Sequence, residues 1–207
     1  MNNLKQRRTI RKYSSEDISE TFLTQLLTEA ERTPTMGNLQ LYSVVISRNS
    51  EMKRRLAPAH FNQPMVESAP VVLTFCADSR RTTLWAHQRK GNPGYNNFLS
   101  FVNAAADALL YCQTFCNLAE EKGLGTCFLG TTFYNPLSIV ETLALPRLVM
   151  PVGTITLAGL PNLPTSLNVC RLKVSSTPKP IAITLPSSST GSMPKRNPYP
   201  PTASLSR

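Results

Sequence analysis

Histidine is nearly absent from this chain, with two in 207 residues, and none of its five cysteines stands in a Cys-x-x-Cys pair. Structural zinc sites draw on closely spaced Cys and His ligands, so no metal centre is expected. The cysteines (Cys76, Cys112, Cys116, Cys127 and Cys170) are odd in number and lie mostly inside apolar runs, the pattern of buried free thiols. No Ser-His-Asp or Cys-His arrangement is there to furnish a nucleophile, and His60 and His87 read as surface or structural residues. No apolar run approaches the roughly 18 residues that a membrane span needs. The start MNNLKQRR has no apolar middle of the secretory kind, so a soluble, cytoplasmic protein is the expectation.

Acidic residues stop early. Up to Leu157 there are 16 Lys/Arg against 12 Asp/Glu, and the fifty residues that follow carry six basic side chains and no acidic one. The net charge of +10 therefore belongs mostly to the C-terminal stretch. A mildly basic body with no basic stripe interleaved with aromatics argues against a nucleic-acid surface. From Ala158 onward Pro, Ser and Thr make up 23 of 50 residues, without helical period or strand alternation. Such a composition buries too little apolar surface to offset the entropy of ordering. The expected organisation is one domain over 1–160 and a disordered or out-of-frame tail over 161–207.

With 41% hydrophobic and 16% charged residues, the chain has material for one globular core. Ser19 is placed to cap a helix whose apolar positions Phe22, Leu23, Leu26, Leu27 and Ala30 recur at helical spacing. TPTMGN reads as a loop, LYSVVIS (Leu41 to Ser47) as a strand, EMKRRLA as a short helix and PVVLTFCAD (Pro70 to Asp78) as a buried strand. The polar, turn-rich segment RTTLWAHQRKGNPGYNN reads as a mobile excursion and a candidate lid. From Phe98 the spacing of Val102, Ala105, Ala106, Leu109, Leu110 and Cys116 suits a long helix, buried nearly all round, that stops at Gly123. GTCFLGTT is then a strand running into a glycine, SIVETLAL a short helix before Pro146, and PVGTITLAG a further strand. Alternating helices and strands place the chain among α/β or α+β folds.

RRTIRKY (Arg7 to Tyr13) sets four cationic side chains and a hydroxyl just before the first helix. In an extended conformation Arg7, Thr9 and Arg11 share a face, with successive side chains about 6.6–7 Å apart. Guanidinium forks stay charged and bind phosphate bidentately, so the group suits a dianionic terminal phosphate. A solvated basic segment or a targeting patch would use the same residues.

Five motifs in order, RRTIRKY, TPTMGNLQLYSVVIS, HFNQPMVESAPVVLTFCAD, EEKGLGTCFLGTTFYNP and LALPRLVMPVGTITL, resemble the nitroreductase family of flavin mononucleotide (FMN) enzymes, and within it the NADPH-dependent oxidoreductase branch. The resemblance covers residues 1 to about 160. It implies an α+β, three-layer fold with a central antiparallel or mixed sheet flanked by helices, truncated at the C-terminus. In that family the basic motif grips the flavin phosphate, which carries over to Arg7, Arg8, Thr9 and Arg11. The TPTMGNLQ loop would lie near the flavin through Asn38 and Gln40. Gln63 would reach the ring edge, and backbone at Leu129, Gly130 and Thr131 would face the ring near its reactive nitrogen. The residue types suit those parts. A strand ending in glycine lets backbone amides approach a planar ring, and Asn and Gln offer paired donors and acceptors. As loop residues they would also satisfy local backbone.

The resemblance further implies hydride transfer from NADH or NADPH through FMN to an electron-poor small molecule such as a nitroaromatic or quinone. The order would be ping-pong, in an intertwined homodimer, with no protein nucleophile. The alternatives are an inactive remnant that keeps the fold, or a non-catalytic binder of flavin or another phosphate ligand. A nucleic-acid binder using the basic tail would lose affinity steeply with salt.

The family continues after its PVGTITL-like strand with an acidic, aromatic segment that wraps the partner subunit. No such segment is recognisable after Leu157 here, and a shift of one nucleotide accounts for the difference. Glu-Thr-Tyr-Arg-Asp-Tyr-Thr, written GAA ACC TAT CGC GAT TAC ACT and read one nucleotide later, gives Lys-Pro-Ile-Ala-Ile-Thr, which is Lys179 to Thr184. Ile-Asp-Arg-Leu-Tyr-Ala-Glu-Lys becomes Ser189 to Arg196 in the same way, and Cys170 to Thr177 decodes to Leu-Pro-Leu-Glu-Gly-Ile-Ile-His. The expectation is that residues from about Asn168 are an out-of-frame translation of the family tail; a native disordered Ser/Pro tail is the alternative.

Overall fold

Side chains that alternate along extended segments give a sheet with two buried faces. The computed structural model describes residues 7–160 apart from 15 and 95. In it β1 (Tyr42–Ser47), β2 (Val71–Asp78), β3 (Leu124–Leu129) and β4 (Val149–Gly159) stand in the order β1-β2-β4-β3, every pairing antiparallel. The helices are α1 (Glu20–Ala30), α2 (Ser50–Leu56), α3 (Pro64–Ser68), α4 (Arg80–Gln88), α5 (Phe98–Glu121) and α6 (Pro136–Thr142).

Register places Val71 opposite Leu157 and Leu73 opposite Ile155, so these side chains share a face. There they form one core with Leu23, Leu26 and Ala30 of α1 and with Tyr111, Cys112, Phe115, Cys116 and Ala119 of α5. Thr126 of β3 stands opposite Leu157, so the next residue, Cys127, points to the other side. On that side Cys127 and Leu129 pack with Leu56 of α2, Met65 and Val66 of α3, and Ile139 of α6. Helices, sheet and helices make the three layers of an α+β fold. The start of α1 is the one its sequence signals: Ser19 Oγ accepts from the Phe22 N–H (3.2 Å), satisfying a donor that the first turn leaves open.

Two expectations need correction. The polar segment after Asp78 is helical at its start, where Arg80–Gln88 forms α4. The Asp78 carboxylate accepts from the N–H of Arg80 (2.8 Å) and of Arg81 (3.2 Å). A carboxylate on the first free donors of a helix stabilises it even where the side chains are polar. The long helix α5, in turn, is not buried nearly all round. The helix forms, but of the positions expected to face the core only Cys116 is buried; Val102 and Leu110 are exposed, and Phe98 is 80% and Leu99 67% exposed. The described residues cover only the stripe through Ala104, Ala108, Tyr111, Phe115 and Ala119. No helix among the described residues is long and apolar enough to cross a membrane. Residues 161–207, with the expected out-of-frame tail, lie outside the described residues.

Candidate functional site

The basic segment runs against the open edge of β3. The Ile10 N–H donates to the Thr126 carbonyl (3.0 Å), and beyond the start of β3 the Ser14 N–H donates to the carbonyl of Gly159 at the end of β4 (3.2 Å). Unpaired groups of an edge strand are thereby covered. Ile10 is buried over Gly125, where a Cβ would come within 2.9 Å of its side chain. Only glycine lets the segment in this close. Arg7 and Arg8 are half-buried, and Thr9 and Arg11 are exposed. Arg7 Nε lies 3.5 Å from Glu120 Oε1, the oxygen that also accepts from Thr126 Oγ1 (2.6 Å). Neither Arg8 nor Arg11 forms a salt bridge with a described residue. Burial raises the Cys127 thiol, and the neighbouring Arg11 charge opposes that rise. Tyr13 closes the segment through a hydrogen bond between its hydroxyl and Thr156 Oγ1, and burial pushes the phenol up to about 12.

Farther along, β3 ends at buried Leu129 and turns at Gly130. From Thr126 to Gly130 is roughly 13 Å of extended chain. Apart from its two chain neighbours, no atom of a described residue comes within 4 Å of a Cβ placed on Gly130, so the backbone opens on free space there among the described residues. Thr131 is held from behind by His60, whose Nδ1 lies 2.8 Å from Thr131 Oγ1. His60 is fully buried at the end of the turn Ala57–His60. Burial pushes its imidazole down to about 4, so the ring is neutral at pH 7. The next turn of chain brings in Gln63, whose N–H donates to the His60 carbonyl (3.2 Å). Two buried polar atoms here, His60 Nε2 and Gln63 Oε1, have no partner among the described residues. Such atoms almost always find one in folded proteins, but both are closed to solvent, and Ser14 Oγ, Ser47 Oγ, Arg48 Nη2 and Thr74 Oγ1 share the condition elsewhere.

Asn38 and Gln40 sit on a tight turn, Met36–Asn38 and the residues after it. Gly37 (φ 56°), Asn38 (φ 55°) and Gln40 (φ 46°) all take the left-handed conformation, which costs an ordinary residue such as Gln about 1–2 kcal/mol. Gln40 Nε2 donates to Asn38 Oδ1 (2.7 Å). The strain is held from two sides. Asp107, fully buried on α5, accepts from the Met36 N–H (2.8 Å) and the Leu41 N–H (3.1 Å). Arg81 Nη2 donates to the carbonyls of Leu39 (3.3 Å) and Gln40.

Of the residues singled out in the sequence, Arg7, Arg8, Thr9 and Arg11 and the Leu129–Thr131 turn thus share one strand, and Gln63 joins them through His60. Asn38 and Gln40 form their own group, bonded to neither of the others among the described residues. Sequence reading missed Asp107 and Arg81, and it named His60 as surface or structural without its contact to Thr131. Asp107 did carry a signal, being the sole charged residue in FLSFVNAAADALLYCQTFCNLA: a lone carboxylate on a core helix is seldom buried without donors. His60 and Arg81 carried none, since nothing local says which side chain they meet.

The family model described as nitroreductase family matches residues 4–159. The NAD(P)H FMN reductase of Bacillus subtilis (strain 168) is 32% identical over 149 residues, 70% of this chain and 59% of the relative. Among solved structures, a Bacteroides fragilis NCTC 9343 protein is 55% identical, with a TM-score of 0.78 over 79% of this chain and 67% of its own. The nitroreductase NfrA1 of B. subtilis is 27% identical, with a TM-score of 0.76 over 82% of this chain and 68% of its own. The chain spans about three fifths of the length of the curated relatives it matches.

Proposed function

The chain belongs to the nitroreductase family, and from that membership we propose that it is an FMN-dependent oxidoreductase using NADH or NADPH. The observation that carries the reading is the alignment of binding groups along β3. Guanidinium groups that form no salt bridge with a described residue, those of Arg8 and Arg11, lie at one end, and a glycine turn open among the described residues lies at the other. A ligand with a phosphate at one end and a polar-edged planar ring at the other matches that donor set.

When bound, FMN would supply the redox chemistry, taking hydride from the nicotinamide and giving electrons to an electron-poor acceptor such as a nitroaromatic or quinone. The protein binds and orients. Arg7, Arg8, Thr9 and Arg11 would hold the phosphate. The backbone of Leu129, Gly130 and Thr131 would lie against the ring, with Gln63, Asn38 and Gln40 serving its polar edge. His60 stays neutral and keeps Thr131 in place. Donor and acceptor would occupy the same position in turn, which predicts parallel-line, ping-pong kinetics; intersecting lines would speak for separate sites.

A second copy of the chain is the proposed partner. Phe98, Leu99, Phe101 and Val102 are exposed at the start of α5, an apolar strip of the sort that interfaces cover. The purified protein should be yellow or bind added FMN, and it should oxidise NADH or NADPH when a quinone or nitroaromatic is supplied. FMN binding without turnover would favour the non-catalytic binder, and failure to bind FMN would refute the reading. Residues from about Asn168 are read as out of frame, so restoring the frame by one nucleotide should give a longer chain that dimerises and holds FMN more tightly.

A further inference from the structure

We propose that Asp107 is the positioning residue of the Asn38–Gln40 turn, and that through this turn it sets the grip on the flavin ring. The inference rests on the FMN reading above. Asp107 is fully buried, yet it forms no salt bridge among the described residues and sits well inside α5, away from any helix end it could cap. Its two oxygens are divided between the ends of one turn, Oδ1 on the Met36 N–H and Oδ2 on the Leu41 N–H. Three of the four donors between them are satisfied locally: Asn38 N–H on the Thr35 carbonyl, Leu39 N–H on that of Met36, Gln40 N–H on Thr35 Oγ1. Asp107 therefore supplies what the turn cannot supply for itself. Arg81 takes the carbonyl side. Left-handed backbone at Asn38 and Gln40 persists only where the surroundings over-determine it, and Asp107 and Arg81 are those surroundings.

Asp107→Asn keeps the shape but offers one acceptor in place of two, so either the Met36 or the Leu41 N–H must face an NH2 group. Hydrogen exchange on the full chain should show one of these two amides exchanging about tenfold faster or more, with the rest of α5 unchanged. FMN and riboflavin affinities should fall together, each by about tenfold, because ring contacts are lost and phosphate contacts are kept. In a double-mutant cycle, Asn38→Ala should add little to Asp107→Asn. Unchanged affinities with the turn amides deprotected, or fully multiplicative losses in the cycle, would overturn the inference. Should Asp107→Asn not fold, Arg81→Ala releases the same turn from its carbonyl side. It should produce the same joint loss, and unaltered affinities there would also overturn the claim. Failure of the wild-type chain to bind FMN is seen before any variant is made, and it overturns the FMN reading itself.

Discussion

Arg11 is exposed and forms no salt bridge with a described residue, whereas His60, toward the other end of the same strand, is fully buried and uncharged. An anion can reach Arg11 without displacing a described salt-bridge partner. His60 has already lost its water. It spends one nitrogen on Thr131 and leaves the other without a described partner. The comparison teaches that one end of the site is coupled to ligand and hardly to folding, while the other is coupled to both.

The largest expected effect tests that contrast directly. His60→Ala opens a cavity and strips Thr131 of its partner, so urea denaturation should show a loss of about 2–5 kcal/mol. Arg11→Ala should stay within about 0.5 kcal/mol of wild type. Comparable losses in the two variants would break the contrast.

Acid comes next. The histidine value falls from its ordinary 6.5 to about 4 in the folded chain, so the unfolded chain takes up the proton first as pH drops. The stability that a neutral His60 contributes is complete above about pH 6.5 and lost as pH falls through about 4, an effect of about 3 kcal/mol. His60→Asn, which keeps a polar partner for Thr131 but does not titrate, should lack that component in denaturation curves taken across the window. Parallel pH profiles for the two proteins would mean that burial does not hold the imidazole neutral.

Ligand binding sharpens the charged side. Arg11→Ala should weaken FMN by about 1.5–3 kcal/mol while leaving riboflavin nearly unchanged; equal losses would move the phosphate elsewhere. That signature is the opposite of the one expected for Asp107→Asn, which should lower both affinities alike. The smallest effect on stability belongs to Gly130→Ala. A methyl group there meets no described residue within 4 Å beyond its chain neighbours, so stability should hold to within about 0.5 kcal/mol. FMN titration should nevertheless weaken, because the methyl enters the space assigned to the ring; undiminished affinity would place the ring away from Gly130.

The two ends also differ in how legible they were. RRTIRKY announces itself by charge, and its docking on β3 requires only Ile10 inside and Gly125 beneath it. The buried end is written in ordinary residues. His60 belongs to an unremarkable APAH turn, and its meeting with Thr131 joins positions 71 apart in the chain. Asp107 reaches the Asn38–Gln40 turn across a similar separation. The mistaken reading of α4 differs in kind: its cap, Asp78, stands just before Arg80 and Arg81 in the chain, but as the last residue of the preceding strand it reads as the end of β2.

Local patterning by itself determined the order and type of most elements, the Ser19 cap, the stop near Gly123 and the basic segment, because periodicity, capping and charge act within a few residues along the chain. The tertiary structure alone decided that α5 is covered on one stripe only, that Asp107 clamps a turn, and that His60 is stripped of water and neutral. Those outcomes depend on which distant surfaces exclude solvent and which donors face which acceptors, and packing settles both only once the sheet has brought the segments together.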